Sequence, residues 1–432
     1  MSAPHLDLAT DETSRKRLEA DGLRLGLVDP ADAATFSAWF RAETRGFLDA
    51  EPTAELVEEQ RTQVSDSRLI GVWDDSIAEP AVPVATTICW PAELTVPGRR
   101  TLPSWAVSGV TVAPTHRRRG IARALMEGEL RTAVGLGLPL AMLTVSESTL
   151  YGRYGYGVAA LGRDVTVQTR RTRWTGPDAP GRVHFVSADQ LLADGYSIVE
   201  RVRPETPGQI GYRQDSKLWR RQLGLTSGDT NAMRLRFVRY DDVDGIPQGF
   251  AIYQLKEDPS DFTQHELTLN ALVAATTEAY AGLWRFMLEM DLVAKVSAHL
   301  RPVDEPLRWM VSDFRAVTVR ESDHLWVRVL DVATALEART YASPGRIVIE
   351  VRDDLGFADG AWALDVDATG QAQVTQVDEA ATAGLTVAAL GSLLLGGVRA
   401  TTLAASGSVD GDAARLDEMF RSPVEPYLGI WF

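Results

Sequence analysis

The chain has 432 residues, 45% hydrophobic and 24% charged, which suits a globular protein of about three domains at ~150 residues each and shows no bias toward disorder. A formal net charge of −15 argues against a nucleic-acid partner, because binding a phosphate backbone needs the opposite sign, and mildly favours cationic small molecules. One Cys excludes a disulfide framework, and six scattered His without an HExxH or an i, i+4 pair predict no metal site.

The first twenty residues are polar and lack an apolar h-region, so no signal peptide is expected. The longest nearly apolar run, Leu385 to Val398, is interrupted by Gly and Ser and is too short to span a bilayer. A cytoplasmic protein without membrane partners is therefore expected. Leu23 to Val28 reads as a strand and Ala31 to Phe47 as a helix, with Phe36, Trp39, Phe40 and Phe47 as its apolar stripe. Asp49-Ala50-Glu51-Pro52 ends the helix. Its carboxylates, Asp49 and Glu51, read either as a solvated loop or as the border of a substrate pocket. Strands follow at Ser67 to Trp73, Val82 to Trp90 and Thr95 to Pro97, with Cys89 expected as a small core residue.

Val110-Thr111-Val112 is β-branched and ends a strand that Pro114 stops. Arg117-Arg118-Arg119-Gly120 comes next, and from Ile121 apolar residues recur at helical spacing (Ala124, Leu125, Leu130). Strand, basic turn and helix place unpaired N–H groups, a helix dipole and guanidinium groups together, which is an anion site suited to a pyrophosphate. Neither a Walker loop nor a GxGxxG fingerprint is present. The turn matches Q/R-x-x-G-x-G/A through Arg117, Gly120 and Ala122. A second strand, Leu140 to Val145, leads to Leu150-Tyr151-Gly152-Arg153-Tyr154-Gly155-Tyr156-Gly157. This order resembles the GNAT acyltransferase core.

The central third repeats the pattern in weaker form. Met233 to Tyr240, Gly249 to Leu255 and His265 to Val273 read as strands, and Thr277 to Val293 as a helix. At the junction stands Ala274-Ala275-Thr276-Thr277-Glu278, with no basic residue or Gly, and Glu278 would repel a pyrophosphate. A duplicated, degenerate copy without CoA binding is expected. From about Ala316, strands at Leu325 to Val329, Arg346 to Val351, Ala361 to Val366 and Ala372 to Gln376 precede helices at Thr386 to Gly396 and Gly411 to Phe420. This part resembles the sterol carrier protein fold, read as a closed structural domain.

Together the parts resemble the Eis (enhanced intracellular survival) acetyltransferases, through VAPTHRRRG at 112–120, SESTLYGRYGYG at 146–157, LEARTY at 336–341 and an aromatic last residue. The resemblance implies a mixed α/β (α+β) fold: tandem GNAT domains, the second degenerate, and a sterol-carrier-like domain, over 1–165, 166–315 and 316–432. It further implies acetyl transfer from acetyl-CoA, the co-substrate, to primary amines such as aminoglycosides, by direct transfer in a ternary complex, within a homohexamer. Acetyl-CoA would contact Val110, Thr111 and Val112, the loop residues Arg117, Arg118, Arg119, Gly120, Ile121, Ala122 and Arg123, and Ser146 with Glu147. Tyr151 would be the general acid and the carboxylate of Phe432 the general base, while Tyr154 and Tyr156 pack. Trp431 stands where an acidic residue would help a cationic acceptor, which places aminoglycosides in question and leaves smaller or aromatic amines open. The alternatives are a CoA- or acyl-chain-binding regulatory protein without turnover and, more remotely, a lipid carrier.

Overall fold

The computed structural model describes residues 4–227 and 232–432. The first unit contains α1 (Pro4–Asp7), α2 (Glu12–Ala20), β1 (Arg24–Val28), α3 (Ala33–Gly46), α4 (Ala54–Gln63), β2 (Arg68–Trp73), β3 (Ala85–Val96), β4 (Arg100–Val112), α5 (Ile121–Gly135), β5 (Leu140–Thr144) and β6 (Gly157–Gln168). Helix α3 starts where the Asp32 carboxylate accepts the amides of Ala34 and Thr35, and it buries Phe36, Trp39 and Phe40 on one stripe. The second unit has β7 (Arg182–Val186), α6 (Ala188–Val202), α7 (Lys217–Gln222), β8 (Leu235–Asp241), β9 (Pro247–Lys256), β10 (His265–Ala274), α8 (Thr277–Leu288), β11 (Val293–Arg301) and β12 (Val317–Val329). The third has α9 (Val332–Glu337), β13 (Gly345–Arg352), β14 (Gly360–Val366), β15 (Ala372–Gln376), β16 (Ala383–Thr386), α10 (Val387–Leu393), α11 (Ala400–Ala405), β17 (Val409–Gly411) and α12 (Ala413–Phe420).

The first two units share one twelve-stranded sheet in the order β1-β2-β3-β4-β5-β12-β6-β11-β10-β9-β8-β7. Read from either edge, each unit supplies five strands in sequence and then receives the other unit's sixth. β12 pairs antiparallel with both β5 and β6, and β6 pairs antiparallel with β11. Leu325 to Val329, read from the sequence as the first strand of the third domain, therefore closes the sheet of the first. The expected helix Thr277 to Val293 ends at Leu288, and Val293 instead opens β11.

The third unit folds a five-stranded sheet, β15-β14-β13-β16-β17, against its helices. Its core is continuous with that of the first unit: Val96 and Met142 share one apolar cluster with Leu390 and Phe420. Helix α10 lies so close to the start of β6 that a Cβ on Gly157 would fall 1.8 Å from the Ala388 carbonyl oxygen, so the last Gly of YGRYGYG is a packing requirement. Within LEARTY, the fully buried Arg339 donates to the carbonyls of Leu393 and Leu394 at the end of α10 and to that of Phe420 at the end of α12. It thereby satisfies groups that helix ends leave unpaired.

Beyond α12 the tail runs back across the second unit toward the first. The Tyr427 amide donates to the Pro207 carbonyl at 2.8 Å and its hydroxyl to that of Leu300 at 2.5 Å. His324 Nε2 donates to the Ile430 carbonyl at 2.8 Å. Leu428 is fully buried.

Candidate active site

β4 and β5 run parallel but pair only over Ser104–Ala106 against Leu140–Met142. Beyond Ala106, β4 continues to Val112 while β5 ends at Thr144 with its other edge on β12. The strands splay, and the β4 edge from Val107 onward faces a split. Within it Gly109 has φ +59 at a register shift against β3. A Cβ there would sit 2.9 Å from Ile88 Cγ2 and 3.4 Å from Glu43 Oε1, so both space and backbone demand glycine.

The split opens into a cavity of about 1150 Å³ between the first and second units. Val110, Ser146, Tyr151, Phe432, Trp431, Asp49 and Glu51 all line it, so residues far apart in sequence meet there. Tyr151 is buried in the turn after β5, its ring edge-on to Tyr156 at 6.3 Å. Burial, then the nearby Glu147 and Tyr154, hold its hydroxyl above the ordinary phenol range. Phe432 packs edge-on to Trp90 at 5.8 Å. Its carboxyl oxygen accepts from Thr144 Oγ1 at 2.7 Å, and its amide donates to the same hydroxyl at 3.2 Å. The end of β5 thus fixes the last residue beside the split. Trp431 stacks edge-on to His324 at 4.6 Å, and its carbonyl accepts from Arg221 Nη2 at 2.5 Å. Glu51 pairs with Arg41 at 3.2 Å on the rim.

The basic turn lies past the end of β4, outside the cavity lining. Arg118 has φ +63 and Gly120 φ +74, and Gly120 is the N-cap of α5, so its left-handed backbone leads into the free amides of the first helical turn. Arg117 and Arg118 are exposed. Arg119 points inward: it donates to Asp74 Oδ2 at 3.2 Å and to the Asp21 carbonyl at 2.6 Å. Through these two contacts it braces the loop. Arg123 is paired with Glu127 at 2.6 Å, and the Ile121 side chain is in the core, while Ala122 is half-buried. The Thr111 hydroxyl bonds that of Thr86 at 2.7 Å, away from the cavity. Val112 is half-buried and Glu147 exposed, and neither lines the cavity.

Three groups escaped the sequence reading. Asp74 gathers Ser76, His116 and Arg119, and these hydrogen bonds, the Ser76 ones foremost, hold its carboxyl far below the usual carboxylate range. It is the brace behind the basic turn. Arg17 reaches from α2 to within 3.0 Å of a Cβ built on Gly120, adding a guanidinium to the loop. Glu43 stands on the cavity wall beside Gly109, its carboxyl raised by burial although Lys217 opposes the shift. It is seven residues after Phe36 and three after Phe40, on the buried stripe of α3, and a carboxylate on such a stripe is a readable signal.

In the second unit, Thr276 accepts the Ala279 amide and caps α8, with Glu278 in the first turn. The corresponding region encloses a cavity of about 260 Å³ lined by Tyr280, Arg301, Glu305 and Tyr427 of the tail. Arg301 and Glu305 form a buried ion pair at 3.1 Å. No group of His, Cys, Asp and Glu able to hold a metal occurs among the described residues, and none of their helices is long and apolar enough to cross a membrane.

A five-stranded run closed by a splayed parallel pair, a basic turn into a helix and a buried tyrosine after the next strand define a GNAT acetyltransferase. The acetyltransferase (GNAT) domain profiles match residues 28–159 and 211–329, and that of the sterol carrier protein domain matches 332–429. The chain is 34% identical over 416 residues to an uncharacterized N-acetyltransferase of Streptomyces avermitilis, covering 93% of this chain and 97% of that one. It is 36% identical over 346 residues to the N-acetyltransferase Eis of Mycobacterium tuberculosis, covering 77% and 81%. The crystal structure of Eis1 from Mycobacterium abscessus superposes with a TM-score of 0.77 at 28% identity, covering 95% of this chain and all of that one. The chain belongs to the Eis family of GNAT N-acetyltransferases.

Proposed function

We propose that the protein transfers the acetyl group of acetyl-CoA to the amine of a small molecule held in the large cavity, directly and in a ternary complex. The observation that carries this reading is the meeting of Val110, Tyr151 and Phe432 around the β4–β5 split. The pyrophosphate would lie on the α5 N-terminus with Arg117, Arg118 and Arg17 alongside, and Ser146 and Glu147 would flank the cofactor after β5. Cys89, the one Cys, is fully buried with its thiol pushed up by burial, and so offers no acyl carrier on the cavity wall.

The amine nitrogen attacks the thioester carbon. An N–C bond forms, the C–S bond breaks, the amine proton passes to a base, and the sulfur leaves as thiolate. Phe432 supplies a carboxylate at the split, fixed by Thr144, as that base. Tyr151, protonated through neutral pH, donates a hydrogen bond to the sulfur as charge develops. Full proton transfer from a phenol above ~10 to a thiolate near ~8.5 runs uphill, so its contribution is electrostatic. Use of acetyl-CoA favours a cytoplasmic site of action. The exposed Trp309, edge-on to Phe314 at 5.3 Å, is apolar surface that a homo-oligomer such as a hexamer would bury.

One thiol-release assay over an amine panel compares wild type, Tyr151→Phe and a Gly-Gly extension after Phe432. Both variants should bind CoA normally, and each should lose roughly 10²-fold or more in kcat. Full turnover in a stable extended protein would eliminate the terminal carboxylate as base and point to Glu43.

A further inference from the structure

Family membership leaves the acceptor open, and the cavity wall carries a feature that bears on it. Helix α7 of the second unit turns Lys217 and Arg221, four residues apart and so on one face, into the cavity that Tyr151 and Phe432 line from the first unit. Neither has a carboxylate within 4.0 Å among the described residues. Arg221 spends one donor on the Trp431 carbonyl, a neutral acceptor. Lys217 makes no hydrogen bond to a described residue.

Burial disfavours the charged form of both side chains. The Glu43 carboxyl opposes this in each case, and Lys217 feels Arg221 as an added repulsion. Lys217, half-buried, and Arg221, exposed at the cavity wall, present two adjacent cations that no carboxylate contacts among the described residues, and an anion entering the cavity would meet both. A polycationic acceptor would meet the reverse, like charge against like, at the same wall. Acidic groups lie elsewhere on the lining: Phe432 at the split, Glu43 beside Gly109, Asp49 and Glu51 at the rim. A cavity lined by cations and carboxylates together matches a ligand that carries both charges.

Resting on the acetyl-transfer reading above, we propose that the acceptor is a small amine that also bears an anionic oxygen group, carboxylate or phosphate, held by Lys217 and Arg221 while its amine faces the split. Trp431 lines the same cavity beside Arg221 and adds apolar surface there.

The test uses matched amines with and without the anion: 6-aminohexanoate against hexylamine, tyrosine against tyramine, and O-phosphoethanolamine against ethanolamine. The full-length protein is assayed for thiol release with acetyl-CoA, and for acceptor binding to its CoA complex by calorimetry. At least one anion-bearing member should exceed its partner roughly tenfold in kcat/KM and in affinity, the magnitude of one charged hydrogen bond. The carboxylate and phosphate pairs tell the two sources apart. Lys217→Met keeps an unbranched side chain without the charge and should remove most of that preference, with the anion-free partner changed less than about twofold. Equal or better binding of every anion-free partner, or a preference unchanged in a folded Lys217→Met, overturns the proposal. Anion preference in calorimetry without thiol release from any pair would sink the transfer reading and keep the anion site. Release with no preference would do the opposite.

Discussion

His324 shows how one side chain ties the terminal segment to pH. It is buried on β12, donates through Nε2 to the Ile430 carbonyl, and leaves Nδ1 without a partner among the described residues. A second ring proton would be a buried, unmet donor, and burial depresses its pKa to about 4 from an unfolded value near ~6.5. Between those values the unfolded state carries a proton that the folded state lacks, so stability is complete above pH ~6.5 and falls as pH drops toward 4. At pH 5 the loss should be about 2 kcal/mol. Denaturant titrations at pH 7.5 and 5.0 should show that loss in wild type and a clearly smaller one in His324→Leu; equal losses would remove His324 from the account. Residue chemistry was legible where types and spacing sufficed: Tyr151 and the aromatic tail line one cavity, and the basic turn leads into a helix N-terminus past the end of β4. The Arg119 brace was not, because its partner Asp74 is 45 positions away and nothing local marks the pair.

The basic turn and α5 behave as one element only because something holds the turn from behind. Asp74, at the end of β2, collects His116 Nε2 at 3.1 Å and Arg119 Nη1 at 3.2 Å, fixing both flanks of the segment that presents Arg117 and Arg118. Asp74→Asn keeps the shape and removes the charge. The expected outcome is a roughly tenfold rise in the acetyl-CoA KM, the scale of one charged hydrogen bond, with kcat at saturation changed much less. A fall confined to kcat would show that Asp74 acts on chemistry and not on the loop. Elements themselves were readable wherever periodicity was strong, as in α3, β10 and α12. The lengths of β4, β6 and β12 were not, since a strand's alternation says which face is buried but not which strand lies beside it.

Across the whole molecule, one buried ion pair joins three segments. Arg328 of β12 makes two bonds to Asp353 of the third unit, at 2.7 and 2.8 Å, and donates through Nε to the Tyr154 carbonyl of the turn that follows Tyr151. Arg328→Met should cost about 3–5 kcal/mol by leaving Asp353 buried and uncompensated. It should also lower activity, because the Tyr151 turn loses its support. A variant as stable as wild type would mean that the contact between units does not depend on this pair; calorimetric unfolding reads the difference. Fold class and the succession of three units followed from motifs in the sequence. The exchange of β6 and β12 did not, because it is a property of pairing partners more than 120 residues apart.

That exchange also sets an order of events for a chain made from its N-terminus. β5 ends at Thr144, and the strand that covers its free edge begins at Val317, 173 residues later. At ~5–20 residues per second, the edge waits roughly 10–35 s on the ribosome before its partner exists. Meanwhile Met142 and Leu143 beside it await neighbours from later in the chain, an exposed strand of the kind that invites wrong pairing. The second half can pair its last strand as soon as β11 emerges, because β6 is already made, whereas the first half stays open at β5 until β12 has emerged and passed between β5 and β6.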